Sequence, residues 1–233
     1  MTQATCYFFG TFNPVHIGHL LMASQALALA GESLSFGSVT FVPAASPPHR
    51  QGEAAMLSAL DRYHLIEKAL YGYPHLKISR VELDMAANKE HNTPIYTADA
   101  LKVLAQASGG QSQTKYVMLM GQDSFQSFPG WRDLEWLLAH CRFLVLNRPA
   151  SSPKPPELPG KLAEKLDWHS LTAPQMMVSA THIRQLCQDA VSLCQETNAP
   201  LDLDKLRSAL SVLIPGKALD YFMQNALPIY VCR

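Results

Sequence analysis

Short apolar segments alternate with longer amphipathic ones over the first 147 residues, and this alternation restricts the architecture more than any other property of the chain. "TCYFF" (5–9) precedes a helical pattern over 17–30, and "VTFVPA" (39–44) precedes a second over 59–71. "LKISRVEL" (76–83) reads as a strand before a helix over 94–106. "KYVMLM" (115–120), a short helix over 134–139 and "RFLVLN" (142–147) complete the series. Strands that read as unbroken apolar runs, separated by helices, predict an α/β fold: a doubly wound, Rossmann-like, mostly parallel sheet with helices on both faces. Ser58 followed by Asp61 has the form of a capping box, and Thr93-Pro94 places a capping hydroxyl before a first-turn proline.

The later residues differ. "RPASSPKPPELPG" (148–160) carries too much proline for regular structure and predicts an exposed loop. A strand is expected near 175–178, followed by a helix that Ser179 caps and that contains Arg184. Two further helical stretches, 204–211 and 216–225, are separated by Pro215. We read one domain over 1–233, with a small helical part from 179 onward and no internal repeat.

Composition excludes several function classes. Lys plus Arg and Asp plus Glu both number 19, so no excess of charge draws the chain to nucleic acid or an anionic membrane, and any bound anion needs a local site. No apolar run reaches the length of a membrane span, and the first ten residues lack a signal-peptide pattern, so a soluble cytoplasmic protein is expected. Five cysteines without a C-x-x-C pair point to reduced thiols.

The most informative stretch is "GTFNPVHIGH" (10–19), between the first strand and the first helix. In an open parallel sheet, ligands bind beyond the carboxyl ends of the strands, where loops and helix N-termini present N–H groups. Gly10 lets the backbone pass close to a ligand, Thr11 and Phe12 offer main-chain donors, and Pro14 has no N–H to leave unpaired. His16 and His19, three apart, project to one side of the first turn, with Gly18 removing bulk between them. The pair can address one phosphate. A helix-capping or core histidine, or half of a zinc site, are the competing readings of the same residues.

This stretch resembles the T/H-x-G-H signature of the nucleotidyltransferase superfamily. The resemblance continues through "VPAASPPHR" (42–50), "DRYHLIEKAL" (61–70), "PIYTADAL" (94–101), "GQDSFQSFPGWRDLEWLL" (121–138), "SATHIR" (179–184) and "LIPGKALDYFMQNALPIY" (213–230), and in order and spacing is similar to the bacterial nicotinate-nucleotide adenylyltransferase family. That family implies transfer of AMP from ATP to nicotinate mononucleotide, giving deamido-NAD and pyrophosphate. His16, His19 and Arg184 would then be catalytic, and magnesium would arrive with ATP rather than on protein ligands. Gly10, Thr11, Phe12, Gly18, Gly121, Asp123, Ser179 and Thr181 would bind ATP. Asn13, His49, Arg50, Tyr96, Thr97, Trp131 and Arg132 would bind the acceptor nucleotide, Trp131 by stacking and the N–H groups of Thr97 and Arg132 by meeting its carboxylate. Ala180, Ile95 and Arg50 depart from the family pattern, Arg50 keeping the charge of the usual lysine with a different geometry. ATP and nicotinate mononucleotide are the expected partners, without nucleic acid or membrane, and a homo-oligomer is left open. The rivals are an adenylyltransferase for nicotinamide mononucleotide or phosphopantetheine, and a non-catalytic nucleotide sensor.

Overall fold

The computed structural model describes residues 4–28, 36–47, 56–88, 93–107, 116–147, 154–172 and 178–231. Six parallel strands form one sheet in the order β3-β2-β1-β4-β5-β6: β1 (Ala4–Gly10), β2 (Phe36–Pro43), β3 (Leu76–Ile78), β4 (Tyr116–Gly121), β5 (Cys141–Asn147) and β6 (Trp168–Thr172). The order reverses between β1 and β4, which pair directly through Cys6 and Val117, Tyr7 and Met118, and Phe8 and Leu119. A doubly wound sheet opens a crevice at such a reversal, at the carboxyl ends of the two strands.

The strands are apolar on both sides because both faces are covered. Cys6, Phe8, Val117 and Leu119 face one core with α1 (Ile17–Ala28) and α2 (Ala59–Ala69). Tyr7, Met118 and Met120 face a second core, with α3 (Val81–Ala87), α4 (Thr97–Ala107), α5 (Gln122–Ser127) and α6 (Leu134–His140). The period of two along each strand thus divides the side chains between two layers. The first core also receives α7 (Ala180–Thr197), α8 (Leu203–Ser211), α9 (Gly216–Tyr221) and α10 (Leu227–Val231) through Ile183, Cys187, Leu206, Ala218 and Tyr230. A single π-type turn, Phe222–Ala226, joins α9 to α10. Among the described residues no helix is long and apolar enough to cross a membrane. Among the described residues, Cys6, Cys141, Cys187 and Cys194 form no disulfide.

Three expectations are corrected. The apolar run 76–83 is a strand only as far as Ile78. The Ser79 hydroxyl then accepts the N–H of Val81, and Glu82 and Asp84 occupy the first turn of α3, where acids suit the positive helix end. The Thr93-Pro94 pair does not start a helix: Ile95 is buried in the second core, and α4 begins only at Thr97, with the Tyr96 carbonyl accepting from Asp99 and Ala100. The sixth strand lies at Trp168–Thr172, aligned with Phe143–Asn147 of β5, earlier than the expected 175–178, of which 175–177 fall outside the described residues. Ser58 caps α2 as its spacing predicts, accepting the N–H of Asp61 at 3.0 Å. Of the proline-rich stretch 148–160, residues 154–159 carry no regular structure and are largely exposed, while 148–153 lie outside the described residues.

Candidate active site

A cleft of about 800 Å³ opens at the carboxyl ends of β1 and β4. Its wall carries Gly10, Thr11, Phe12, Asn13 and His19 from the first turn, Tyr96 and Thr97 at the start of α4, Gly121 and Asp123 after β4, Trp131 and Arg132 before α6, and Arg184 from α7. Residues from five separate stretches of the chain thus share one cavity.

The first turn is held from below. Phe12 has φ 49°, in the left-handed region, and its ring packs edge-on against Phe8 at 5.3 Å. A Cβ on Gly10 would stand 2.9 Å from Cζ of that ring. Gly10 is therefore required by the fold-back of Phe12, a reason the sequence reading did not supply. Asn13, also buried, accepts at Oδ1 from the N–H of Leu57 at 3.0 Å and from the Tyr230 hydroxyl at 3.1 Å. Its carbonyl accepts from Nη1 of Arg184 at 2.7 Å. The second guanidinium nitrogen, Nη2, donates to Oγ1 of Thr181 at 3.1 Å, so Arg184 is set in place by two contacts before any ligand binds. Ser179 caps α7 by accepting the N–H of His182 at 3.1 Å.

The two histidines are not equivalent. Their ring centroids are 3.8 Å apart, with His19 on the cleft wall and His16 buried behind it. A Cβ on Gly18 would fall 2.9 Å from Nδ1 of His16, so glycine is what admits this ring. Burial lowers the pKa of His16 from 6.5 to about 4. Burial, then the neighbouring His16, hold His19 well below its ordinary value. Both rings are thus neutral near pH 7. Nδ1 of His19 accepts the N–H of His16 at 3.2 Å, which places the His19 proton on Nε2 and leaves that nitrogen as the donor for an anion in the cleft.

On the opposite side Thr97 opens α4, and its N–H is among the first-turn donors without an intrahelical acceptor. The Trp131 indole is half-buried, at 5.6 Å from the Phe128 ring, with Nε1 3.4 Å from Oγ of Ser127. The guanidinium of Arg132 lies over the Tyr96 ring at 5.0 Å. His16, Gly18, Ser179 and Thr181 stand behind the wall rather than on it, and His49 and Arg50 lie outside the described residues, although Pro47 of the same loop reaches the cleft. Among the described residues no group of three or more His, Cys, Asp or Glu side chains is gathered as a metal site.

Two residues of this region escaped the sequence reading. Arg62 is buried under the first turn, and burial lowers its pKa to about 10. Glu82 is buried on the cleft wall, and burial raises its pKa to about 7. Arg62 had a legible signal: with Leu65, Ile66 and Ala69 it completes the i, i+3, i+4, i+7 face of α2, all of it buried. Glu82 was hidden by reading its segment as strand.

An open parallel sheet, a glycine-bearing turn with histidines after β1, and an arginine from a distant helix at the same crevice define a nucleotide-transfer class of α/β protein, and the chain belongs to the cytidylyltransferase-like family, which matches residues 7–186. Within that family it sits beside the nicotinate-nucleotide adenylyltransferases. It is 36% identical over 197 residues, 79% of this chain and 86% of the relative, to the probable nicotinate-nucleotide adenylyltransferase of Pseudomonas fluorescens. It is 36% identical over 178 residues, 76% of this chain and 81% of the relative, to that of Bordetella pertussis. Among solved structures, the nicotinic acid mononucleotide adenylyltransferase of Plasmodium falciparum complexed with APC covers 99% of this chain and 100% of its own at a TM-score of 0.65 and 12% identity. A putative nicotinate-nucleotide adenylyltransferase from Vibrio parahaemolyticus gives 0.56 at 13% identity, over 97% and 95%. At those identities the structural likeness is one of fold.

Proposed function

We propose that this protein transfers AMP from ATP to nicotinate mononucleotide, releasing pyrophosphate and deamido-NAD. The observation that carries this reading is the meeting of His19 and Arg184 on one cleft, with Arg184 bonded to the same turn that presents His19. An oxygen of the acceptor 5′-phosphate attacks the α-phosphorus of ATP in line. A new P–O bond forms, the bond from the α-phosphorus to the bridging oxygen breaks, and pyrophosphate leaves with that electron pair. No protein nucleophile is required, so catalysis consists of positioning and charge stabilisation.

In this reading the main chain of Gly10 to Phe12 and Nε2–H of His19 meet the phosphates from one side, and Arg184 from the other. His16 acts behind His19, through its ring contact and its N–H. Magnesium would be carried by the triphosphate rather than by protein side chains, and would supply neutralisation of phosphate charge there. Gly121 and Asp123 take the ATP ribose side, with Ser179 and Thr181 supporting the Arg184 segment. On the acceptor side Trp131 stacks on the pyridine ring, the N–H groups of Thr97 and Arg132 receive its carboxylate near Tyr96, and His49 and Arg50 supply cations for its phosphate. Both substrates are water-soluble nucleotides, and the protein works on them in the cytoplasm.

The test is pyrophosphate release from magnesium ATP, with nicotinate mononucleotide, nicotinamide mononucleotide and phosphopantetheine offered in parallel. Release should be fastest with the nicotinate nucleotide and accompanied by deamido-NAD. Preference for phosphopantetheine would move the protein to the rival transferase, and ATP binding without release for any acceptor would make it a nucleotide sensor.

A further inference from the structure

We propose that Arg62 and Glu82 form a buried clamp on the backbone of Ala45 that fixes the spacing between the phosphate turn after β1 and the acceptor loop after β2, making both of them positioning residues for transfer. Arg62 donates from Nη1 to the Thr11 carbonyl at 2.8 Å, from Nε to the Leu57 carbonyl at 3.2 Å, and from Nη2 to the Ala45 carbonyl at a longer 3.4 Å. Oε2 of Glu82 accepts the N–H of that same Ala45 at 3.0 Å. The two peptide groups that flank Ala45 are thus gripped, the carbonyl by α2 and the N–H by α3. Next to it, the N–H of Ala44 donates to the Gly10 carbonyl at 2.9 Å, so the two loops are also laced directly.

The cost of this arrangement indicates a purpose beyond stability. A guanidinium that is 1% exposed, satisfied by carbonyls, has lost its hydration, and an apolar side chain of similar size would fill the same space without that penalty. What an apolar replacement could not do is hold three loop carbonyls, Thr11, Ala45 and Leu57, at fixed separation. Two of them border the positions where the reading above puts ATP and the acceptor. For an in-line displacement between two separately bound nucleotides, an error of about 1 Å in loop spacing costs on the order of a hundredfold in rate while leaving each nucleotide free to bind alone.

The inference rests on the adenylyl-transfer reading, and its test separates the two. Arg62→Lys keeps the charge but cannot span three carbonyls, and Glu82→Ala frees the Ala45 N–H. In each, kcat should fall by about tenfold to a hundredfold, while the Kd of ATP alone stays within about threefold of the unaltered protein. Glu82→Gln retains an oxygen that can accept the Ala45 N–H, and should recover most of the kcat lost in Glu82→Ala. Amide hydrogen exchange at Ala45 gives a readout independent of turnover: it should quicken in Arg62→Lys and Glu82→Ala and much less in Glu82→Gln. If the unaltered protein shows no transfer, the functional reading falls and the exchange pattern alone judges the clamp. Should Arg62→Lys fail to fold, the two Glu82 variants decide. Unchanged kcat and unchanged Ala45 exchange in Glu82→Ala would overturn the clamp, as would a drop in ATP affinity parallel to the loss of kcat.

Discussion

Arg184 donates to the carbonyl of Asn13 at 2.7 Å although 171 residues separate them. The contact joins the start of α7 to the turn that carries the histidines, and it is formed without ligand. A lysine could reach one of the two acceptors, Asn13 or Thr181, but not hold a planar fork between them. Arg184→Lys is therefore expected to lower kcat/KM by roughly tenfold to a hundredfold, the equivalent of one lost charge-assisted hydrogen bond. Steady-state pyrophosphate release measures it, and equal kcat/KM in the two proteins would remove the guanidinium geometry from the mechanism.

His19→Ala should lower turnover on the order of a hundredfold to a thousandfold, as for loss of one preorganised donor to developing charge. Far-UV circular dichroism should stay unchanged, since the side chain lines a cavity rather than filling the core. Turnover retained in the folded variant would exclude His19 from the reaction.

Gly18→Ala forces a Cβ to within 2.9 Å of the His16 ring, which is backed by His19 and has little room to yield. Overpacking of this kind costs about 1–3 kcal/mol. The variant should melt at lower temperature and turn over more slowly, because the displaced ring is the one packed against His19. A variant with unaltered melting and kcat would mean that the two rings move freely.

Stability should depend on pH in two opposite ways. His16 titrates at about 4 in the fold against 6.5 when unfolded, so the unfolded chain binds the extra proton between these values and stability falls as pH drops from 6.5 to 4. The loss from this group is about 3 kcal/mol. Glu82 titrates at about 7 in the fold against 4.5 unfolded, so its contribution is present below 4.5 and is lost as pH rises to 7. Denaturant midpoints across this range should show His16→Asn flattening the acid limb and Glu82→Gln flattening the neutral one. Unchanged slopes in both variants would contradict these burials.

The layered fold was legible because periodicity survives in the sequence wherever a strand is covered on both faces. β4, with Val117 and Leu119 to one side and Met118 and Met120 to the other, is the clearest case. Where local signals compete, the boundary is not legible in the sequence. The segment after Ile78 is apolar enough for a strand, yet Ser79 and the acids behind it turn it into α3. Pro94 suggested a helix start, but burial of Ile95 keeps the chain extended for one more turn. The cleft residues were legible as types at motif positions. Their placement was not, because which of two histidines reaches the cavity depends on the Gly18 gap and on a ring contact that no spacing records. Arg62 and Glu82 went unseen because sequence patterns assign charged residues to solvent by default.

The Tyr230 hydroxyl on Asn13 gives the molecule an order of completion. The turn at Asn13 keeps an Oδ1 partner waiting until a residue 217 positions further along the chain has left the ribosome. A nascent chain can thus assemble the sheet while this corner of the cleft is still unfinished.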